Sequence, residues 1–362
     1  MVYEDMFQRP IQLVHNRIHR GYPGGREIER LRGNDALGDD LSPEAWVGST
    51  TLARDHDSVP DGKLGYAQAY LADGGRVYLK DMIDTNPIAF LGEKHVVKFG
   101  SNTSILVKLL DAEKKLSLQC HPDGSFARKC FNSNYGKVES WYVIGLREDQ
   151  PEPPYLLLGF KKGITREKFQ KLFIEGDIKL MENWCHKITP RVGEMYYVPA
   201  GTPHLLGPGC FVVETQEPSD ITVKAFMQKF DNEQETGMFI ERSMGSFNYI
   251  GRGKEDTLNL LRIKPKSLLS AAGGTENLLL GGNQNPYFSV TELTVTNEMG
   301  KYETGVFLIS IVLDGTGWIC YDGGCMNVKK GDELFFSADT KNVVWKTDNR
   351  LHVINCHPPD AL

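Results

Sequence analysis

Three short stretches of this chain carry side chains able to hold a divalent metal. Gln119-Cys-His121 closes an apolar run just before Pro122-Asp-Gly, Lys137-Val-Glu139 opens another, and His204 follows the turn Pro199-Ala-Gly-Thr-Pro. Residues two apart on a strand point to the same face. Gln119 therefore shares a face with His121, and Lys137 shares one with Glu139 and Trp141. Two imidazoles, a carboxylate and an amide oxygen make an N/O ligand set suited to Zn²⁺, Fe²⁺ or Mn²⁺, with room left for water or substrate. A single strand histidine is more often hydrogen-bonded or solvated than ligating; here the argument rests on the grouping. His15, His19, His56, His95, His186, His352 and His357 lack such company and read as structural or solvated.

The elements that must position these groups are mostly short strands. Apolar or alternating runs at 104–110, 115–121, 139–144, 155–160, 194–198 and 210–214 form one set, and 288–295, 306–313, 318–321, 333–336, 342–345 and 351–354 a second. Asp314-Gly-Thr-Gly and Asp322-Gly-Gly both read as hairpin turns. Helical pattern is sparse. Thr165 opens a helix with Phe169, Leu172 and Phe173 on one face, Gly176 ends it, and further short helices fit 179–185 and 255–261. The polar stretch 227–284 reads as a helical connector, with turns at Ala271-Ala-Gly-Gly and Gly281-Gly282. Gly193–His204 aligns without gaps to Gly331–Asn342, which suggests a duplication. The copy that ends in asparagine is expected to have lost any metal.

With 362 residues, 41 basic and 47 acidic side chains and a formal charge of −6, the chain has the length of two domains and lacks the basic surface that nucleic acid requires. No run approaches the ~18 apolar residues of a membrane helix. The N-terminus lacks a signal-peptide pattern. Seven scattered cysteines without a C-x-x-C pair suggest free thiols in a reducing compartment, so a cytoplasmic location is expected.

The blocks Leu116-Ser-Leu-Gln-Cys-His-Pro-Asp123, Gly136-Lys-Val-Glu-Ser-Trp-Tyr-Val-Ile144, Val198-Pro-Ala-Gly-Thr-Pro-His-Leu-Leu-Gly-Pro208 and Val213-Glu-Thr-Gln-Glu-Pro-Ser-Asp-Ile-Thr-Val-Lys224 resemble the signature blocks of type I mannose-6-phosphate isomerases. Upstream, Glu44-Ala-Trp-Val-Gly-Ser49 and Leu106-Val-Lys-Leu-Leu-Asp-Ala112 resemble two further strands of that family. The resemblance runs in order from about residue 40 to 225 and continues beyond as a general double-cupin layout. It implies a mainly β fold of two cupin (jelly-roll-like) β-barrels with small helical insertions. The first domain would be catalytic and span 1–226, with an insertion at about 161–187. The connector would span 227–284, and a second cupin without a metal site 285–362.

The resemblance further implies Zn²⁺ held by Gln119, His121, Glu139 and His204, and Lys137 and Glu214 lining the site as catalytic residues. It places Trp46 and Lys137 against substrate. The reaction implied interconverts mannose 6-phosphate and fructose 6-phosphate through a cis-enediol. That chemistry needs a base for a weakly acidic C–H, stabilisation of the enediolate oxygens and a shuttle for hydroxyl protons. One position departs from the family pattern. Where its Ser-Asp-x-x-x-Arg run ends in arginine, this chain has Lys224, which keeps the charge but not the planar bidentate fork. Ser101–Ser104 and Ser125–Arg128 offer groups for a phosphate, while Lys161-Lys162 and Lys329-Lys330 read as turn charges. The partner expected is a small sugar phosphate, with neither nucleic acid nor membrane, and the chain a monomer or homodimer. Two other readings use the same scaffold. One is a catalytically weak or silent cupin that binds a sugar or sugar phosphate; the other is an Fe²⁺ redox enzyme.

Overall fold

The computed structural model describes residues 3, 6–54, 58–228, 230–300 and 305–362. His56 and four of the first five residues, on which expectations above rest, lie outside the described residues. The fold is mainly β, with few and short helices. The chain forms two compact units, one of Tyr22–Gly24 with Asp111–Ile263, the other of Met1–Gly21, Gly25–Leu110 and Lys264–Leu362.

The unit built on Asp111–Ile263 carries the His/His/Glu stretches. One of its sheets runs in the order Cys185–Ile188, Leu156–Phe160, His204–Leu206, Gln119–Cys120, Val223–Lys224. Four strands of the second follow the order Arg262–Ile263, Met195–Val198, Glu139–Leu146, Cys210–Gln216. Alternation along the first sheet sorts its residues. Leu118, Cys120, Leu157, Leu205 and Val223 enter an apolar core with Phe160, Phe169, Phe173 and Met181, so Gln119, His121, His204 and Lys224 fall on the opposite face. The helices Arg166–Glu175, Ile178–Asn183 and Glu233–Gly245 supply that core with Phe169, Phe173, Met181 and Met244. Thr165 caps the first of these by accepting the Lys168 N–H at 3.3 Å, and Gly176 at φ 73° ends it in the left-handed region. Arg147 and Asp111, both buried, form an ion pair through two guanidinium nitrogens.

In the other unit a sheet runs Ile11–Gln12, Glu333–Phe336, Leu308–Tyr321, Leu351–His357, Ser289–Val295, Gly274–Leu280, Lys266–Ala271. The connector pattern holds for its first half only. Glu233–Gly245 and Lys254–Leu261 are helical, but Lys266–Ala271 and Gly274–Leu280 are strands, turned at 272–273. The helices Leu79–Thr85, Pro87–Leu91 and Glu93–Phe99, five to seven residues each, are too short to show a periodic apolar face in sequence.

Two other expectations are corrected. Asp314-Gly-Thr-Gly is no hairpin turn: the strand Leu308–Tyr321 runs through it with a register shift between Val312 and Asp314. Its glycines serve a close backbone approach instead. A Cβ on Gly315 would sit 1.8 Å from the Arg350 carbonyl oxygen, and one on Gly317 2.1 Å from that of Lys346. Nor are all seven cysteines free. The hairpin does turn at Asp322-Gly323, and there Cys320 and Cys325 face each other in register and form a disulfide, leaving five free thiols.

The suggested repeat has a structural counterpart. Gly193 and Gly331 take φ of 87° and 90° just before the matching strands Met195–Val198 and Glu333–Phe336. At the last aligned position His204 starts a strand, whereas Asn342 takes φ 52° and donates its amide to Asp322.

Candidate metal centre and active site

Among the described residues, His121, Glu139 and His204 form a cluster whose ligand atoms all lie within 4.8 Å of one another, and all three side chains are buried. His121 Nε2 is 3.1 Å from Glu139 Oε2, and His204 Nε2 is 3.2 Å from Glu139 Oε1. The outer nitrogens are committed elsewhere. His121 Nδ1 lies 2.8 Å from the Ile221 carbonyl, and His204 Nδ1 2.8 Å from that of Thr202. A carbonyl can only accept, so each Nδ1 carries the proton and each Nε2 turns a lone pair inward, the arrangement of a metal-bound imidazole.

Burial first, and the Lys137 ammonium second, hold the His121 pKa down to about 3. Burial likewise lowers that of His204. Both rings are thus neutral at physiological pH, as ligation requires. Burial opposes the charge of Glu139, but Lys137 and the two imidazoles hold its carboxyl well below the usual range. Neither Glu139 oxygen makes a hydrogen bond of normal geometry, although both are buried. Two inward lone pairs and an ionised carboxylate whose close cationic neighbour is Lys137 make a donor set that fits a divalent cation. The Gln119 amide nitrogen lies 3.4 Å from His204 Nε2, and a half-turn of the amide places its oxygen there.

A second group of charges borders the first. Lys137 Nζ stands 2.8 Å from Glu139 Oε2, 3.1 Å from His121 Nε2 and 3.8 Å from Glu214 Oε1. Glu214 is oriented by the Trp141 indole N–H, which donates to its Oε2 at 3.2 Å, and the same indole meets the His204 ring edge-on at 5.4 Å. Gly136 leads into Lys137 where space is tight: a Cβ there would fall 2.6 Å from the Gly124 backbone nitrogen. That approach brings Lys137 N–H to the Pro122 carbonyl at 3.0 Å and fixes the loop beside His121.

Six of the eight candidate residues, Gln119, His121, Lys137, Glu139, His204 and Glu214, are therefore brought together. Lys224 is exposed, but it pairs in register with Gln119 and shares its face of the sheet. Trp46 belongs to the other compact unit and is fully buried; its indole donates to Glu44 at 2.8 Å, with Arg20 and Lys108 each about 5 Å from its ring. Ser125 and Arg128 sit on the helix Gly124–Phe131, capped by Asp123, and Ser125 Oγ is taken up by Asp123 at 2.7 Å. Sequence alone misses the Thr202 and Ile221 carbonyls, because main-chain acceptors leave no mark on residue type. The role of Trp141 as a donor is equally hidden, since an indole in a strand reads as core.

Comparison with known proteins agrees with this geometry. Residues 44–139 match the family model "Phosphomannose isomerase type I, catalytic domain", and residues 283–356 match "Mannose-6-phosphate isomerase, cupin domain". The Bacillus subtilis protein described as "Probable mannose-6-phosphate isomerase GmuF" is 30% identical over 236 residues, 65% of this chain and 69% of that protein. The chain belongs to the type I phosphomannose isomerase family. It is an isomerase by that membership. Mannose-6-phosphate isomerase of Streptococcus mutans is 29% identical over 328 residues, 88% of this chain and 96% of the relative. Among solved structures, mannose 6-phosphate isomerase from Bacillus subtilis superposes with a TM-score of 0.73 over 97% of this chain and 100% of that one, at 22% identity. A variant of phosphomannose isomerase from Salmonella typhimurium gives 0.73 over 97% and 99%, at 15%. The shared fold is a mainly β cupin architecture.

Proposed function

We propose that this isomerase interconverts mannose 6-phosphate and fructose 6-phosphate at the centre formed by His121, Glu139 and His204. The observation that carries the reading is the buried Lys137–Glu214 pair set against that cluster. One face then offers a proton acceptor, a fixed cation and a metal-binding set. Gln119, His121, Glu139 and His204 would hold Zn²⁺, which supplies Lewis-acid stabilisation of oxyanion charge when bound.

The remaining work falls to side chains. Glu214, held by the Trp141 indole, removes the C2 proton of the aldose and returns it to C1, passing through a cis-enediol. The O2 proton finishes on O1, so no atom is gained or lost. Lys137 Nζ stabilises the oxyanion that develops while the C–H bond opens. Lys224, on the metal-facing side of the sheet, contributes a further positive charge. Catalysis is assigned to the unit built on Asp111–Ile263, and the sheet that Lys264–Leu362 contributes to the other unit is assigned no metal. Among the described residues no helix is long and apolar enough to cross a membrane. We place the enzyme in the cytoplasm as a monomer or homodimer.

The test is a coupled assay of mannose 6-phosphate conversion on protein whose metal content is measured in the same preparation. Turnover that is lost on chelation and restored by Zn²⁺ supports the reading. One zinc per chain without turnover transfers it to a cupin that binds sugar phosphate silently, the outcome that Lys224 favours.

A further inference from the structure

The outward face of the hairpin Leu308–Tyr321 with Gly324–Lys329 borders a cleft of about 430 Å³, remote in sequence from the metal centre and contained within the unit that includes Lys264–Leu362. In the register of this hairpin Thr316 faces Lys329, Trp318 faces Asn327, and Cys320 faces Cys325. These six residues share one face, while Ile319 and Val328 of the other face enter the apolar core. Trp318 is 39% exposed, in contrast to the buried Trp46, Trp141 and Trp345. Lys346, its neighbour on the other side, is held by Glu298 at 3.0 Å and does not cap it.

Around this indole stand hydrogen-bonding groups of both kinds. Asn327 lies beside it, and Asp348 and Asn349 project from the exposed turn that follows Val344–Lys346. The charges lining the cleft are two carboxylates, Asp332 and Asp348, against the single cation of Lys329. That balance repels a phosphate or sulfate. A flat aromatic face ringed by amides and carboxylates matches a pyranose instead. The apolar C–H face of the sugar stacks on the ring and its hydroxyls pair with the polar rim. The cleft volume suits one or two hexose rings. Pairing of the two strands with each other and with Val344–Lys346 ties the platform in place, so it is ordered before a ligand arrives.

We propose that this cleft is a binding subsite for a neutral hexose or short oligosaccharide, with Trp318 as the stacking platform and Asn327, Asp348 and Asn349 as the hydroxyl partners. It is distinct from the metal centre in residues and in ligand charge, and it does not depend on the isomerase assignment.

The experiment is saturation-transfer NMR with intrinsic fluorescence on the full chain, using methyl α-mannoside, methyl β-glucoside and cellobiose as probes. At least one should bind with a dissociation constant of roughly 1 mM and quench tryptophan emission. Binding should persist in His204→Ala and weaken at least about tenfold in Trp318→Ala. Trp318→Tyr keeps an aromatic face and should retain part of the affinity, which guards against a folding defect in the alanine variant. The proposal is overturned by absence of binding for all three probes, by equal affinity in Trp318→Ala, or by loss confined to His204→Ala. Mannose 6-phosphate is run as a fourth probe, and binding of that ligand alone at the cleft also overturns the proposal. Self-association of the chain that Trp318→Ala abolishes, without sugar binding, overturns it in favour of an interface between copies.

Discussion

Lys224 is the in-register antiparallel neighbour of Gln119, while Val223 beside it pairs with Cys120 and turns into the apolar core. The lysine that replaces the family's arginine therefore lies on the same face of the sheet as the candidate metal ligands, at an exposed position. An arginine there would reach the same region with a planar fork able to hold two oxygens at once. We expect Lys224→Arg to raise kcat for mannose 6-phosphate several-fold in a coupled assay. A neutral or harmful effect would show that the pocket has been reshaped around lysine.

His204→Ala should remove bound metal and turnover together. The loss deletes one of three buried ligands and leaves the Glu139 carboxylate facing a void. Metal analysis should read well below one equivalent, and kcat/KM should fall by at least about a hundredfold. Full zinc stoichiometry in this variant would sink the ligand assignment.

Glu276 provides a stability test away from the metal. It is buried, accepts a hydrogen bond from Thr291 Oγ1 at 2.9 Å, and burial raises its pKa. The folded state thus keeps a proton that the unfolded state has already released. Stability from this group is present below the ordinary glutamate pKa and declines as pH rises through the raised folded value. Glu276→Gln copies the protonated form and should melt about 1–3 °C higher than the parent at pH near 7. The difference should vanish near pH 4. Calorimetry showing a lower midpoint at neutral pH would contradict this account.

The Cys320–Cys325 disulfide closes a loop of sequence separation 5, so its effect on the unfolded chain is small. Replacing both cysteines by serine should cost no more than roughly 2 kcal/mol in denaturant unfolding. A loss twice as large would mean that the hairpin is held by the bridge rather than by its register with Val344–Lys346.

The candidate site was largely legible because strand periodicity is strict. Gln119 and His121 had to share a face, and the structure places Cys120 between them in the opposite core. The fold was legible where runs were apolar and turns unambiguous, as at Thr165–Gly176. It was not legible at Asp314-Gly-Thr-Gly, because glycine serves turns and close backbone contacts alike and the contacting Arg350 and Lys346 carbonyls are distant in sequence. The disulfide did leave a signal. Cys320 and Cys325 flank the two-residue turn Asp322-Gly323 symmetrically, each one residue beyond the pair Tyr321 and Gly324, which hairpin geometry converts into a facing pair.

The carbonyls of Thr202 and Ile221, which set the tautomers of the two histidines, belong to the peptide backbone and are common to every residue type. Mutational drift at 202 or 221 can change the side chain freely without erasing either acceptor. What the centre inherits there is a chain path, and an inserted or deleted residue in either loop would injure it more than any single substitution.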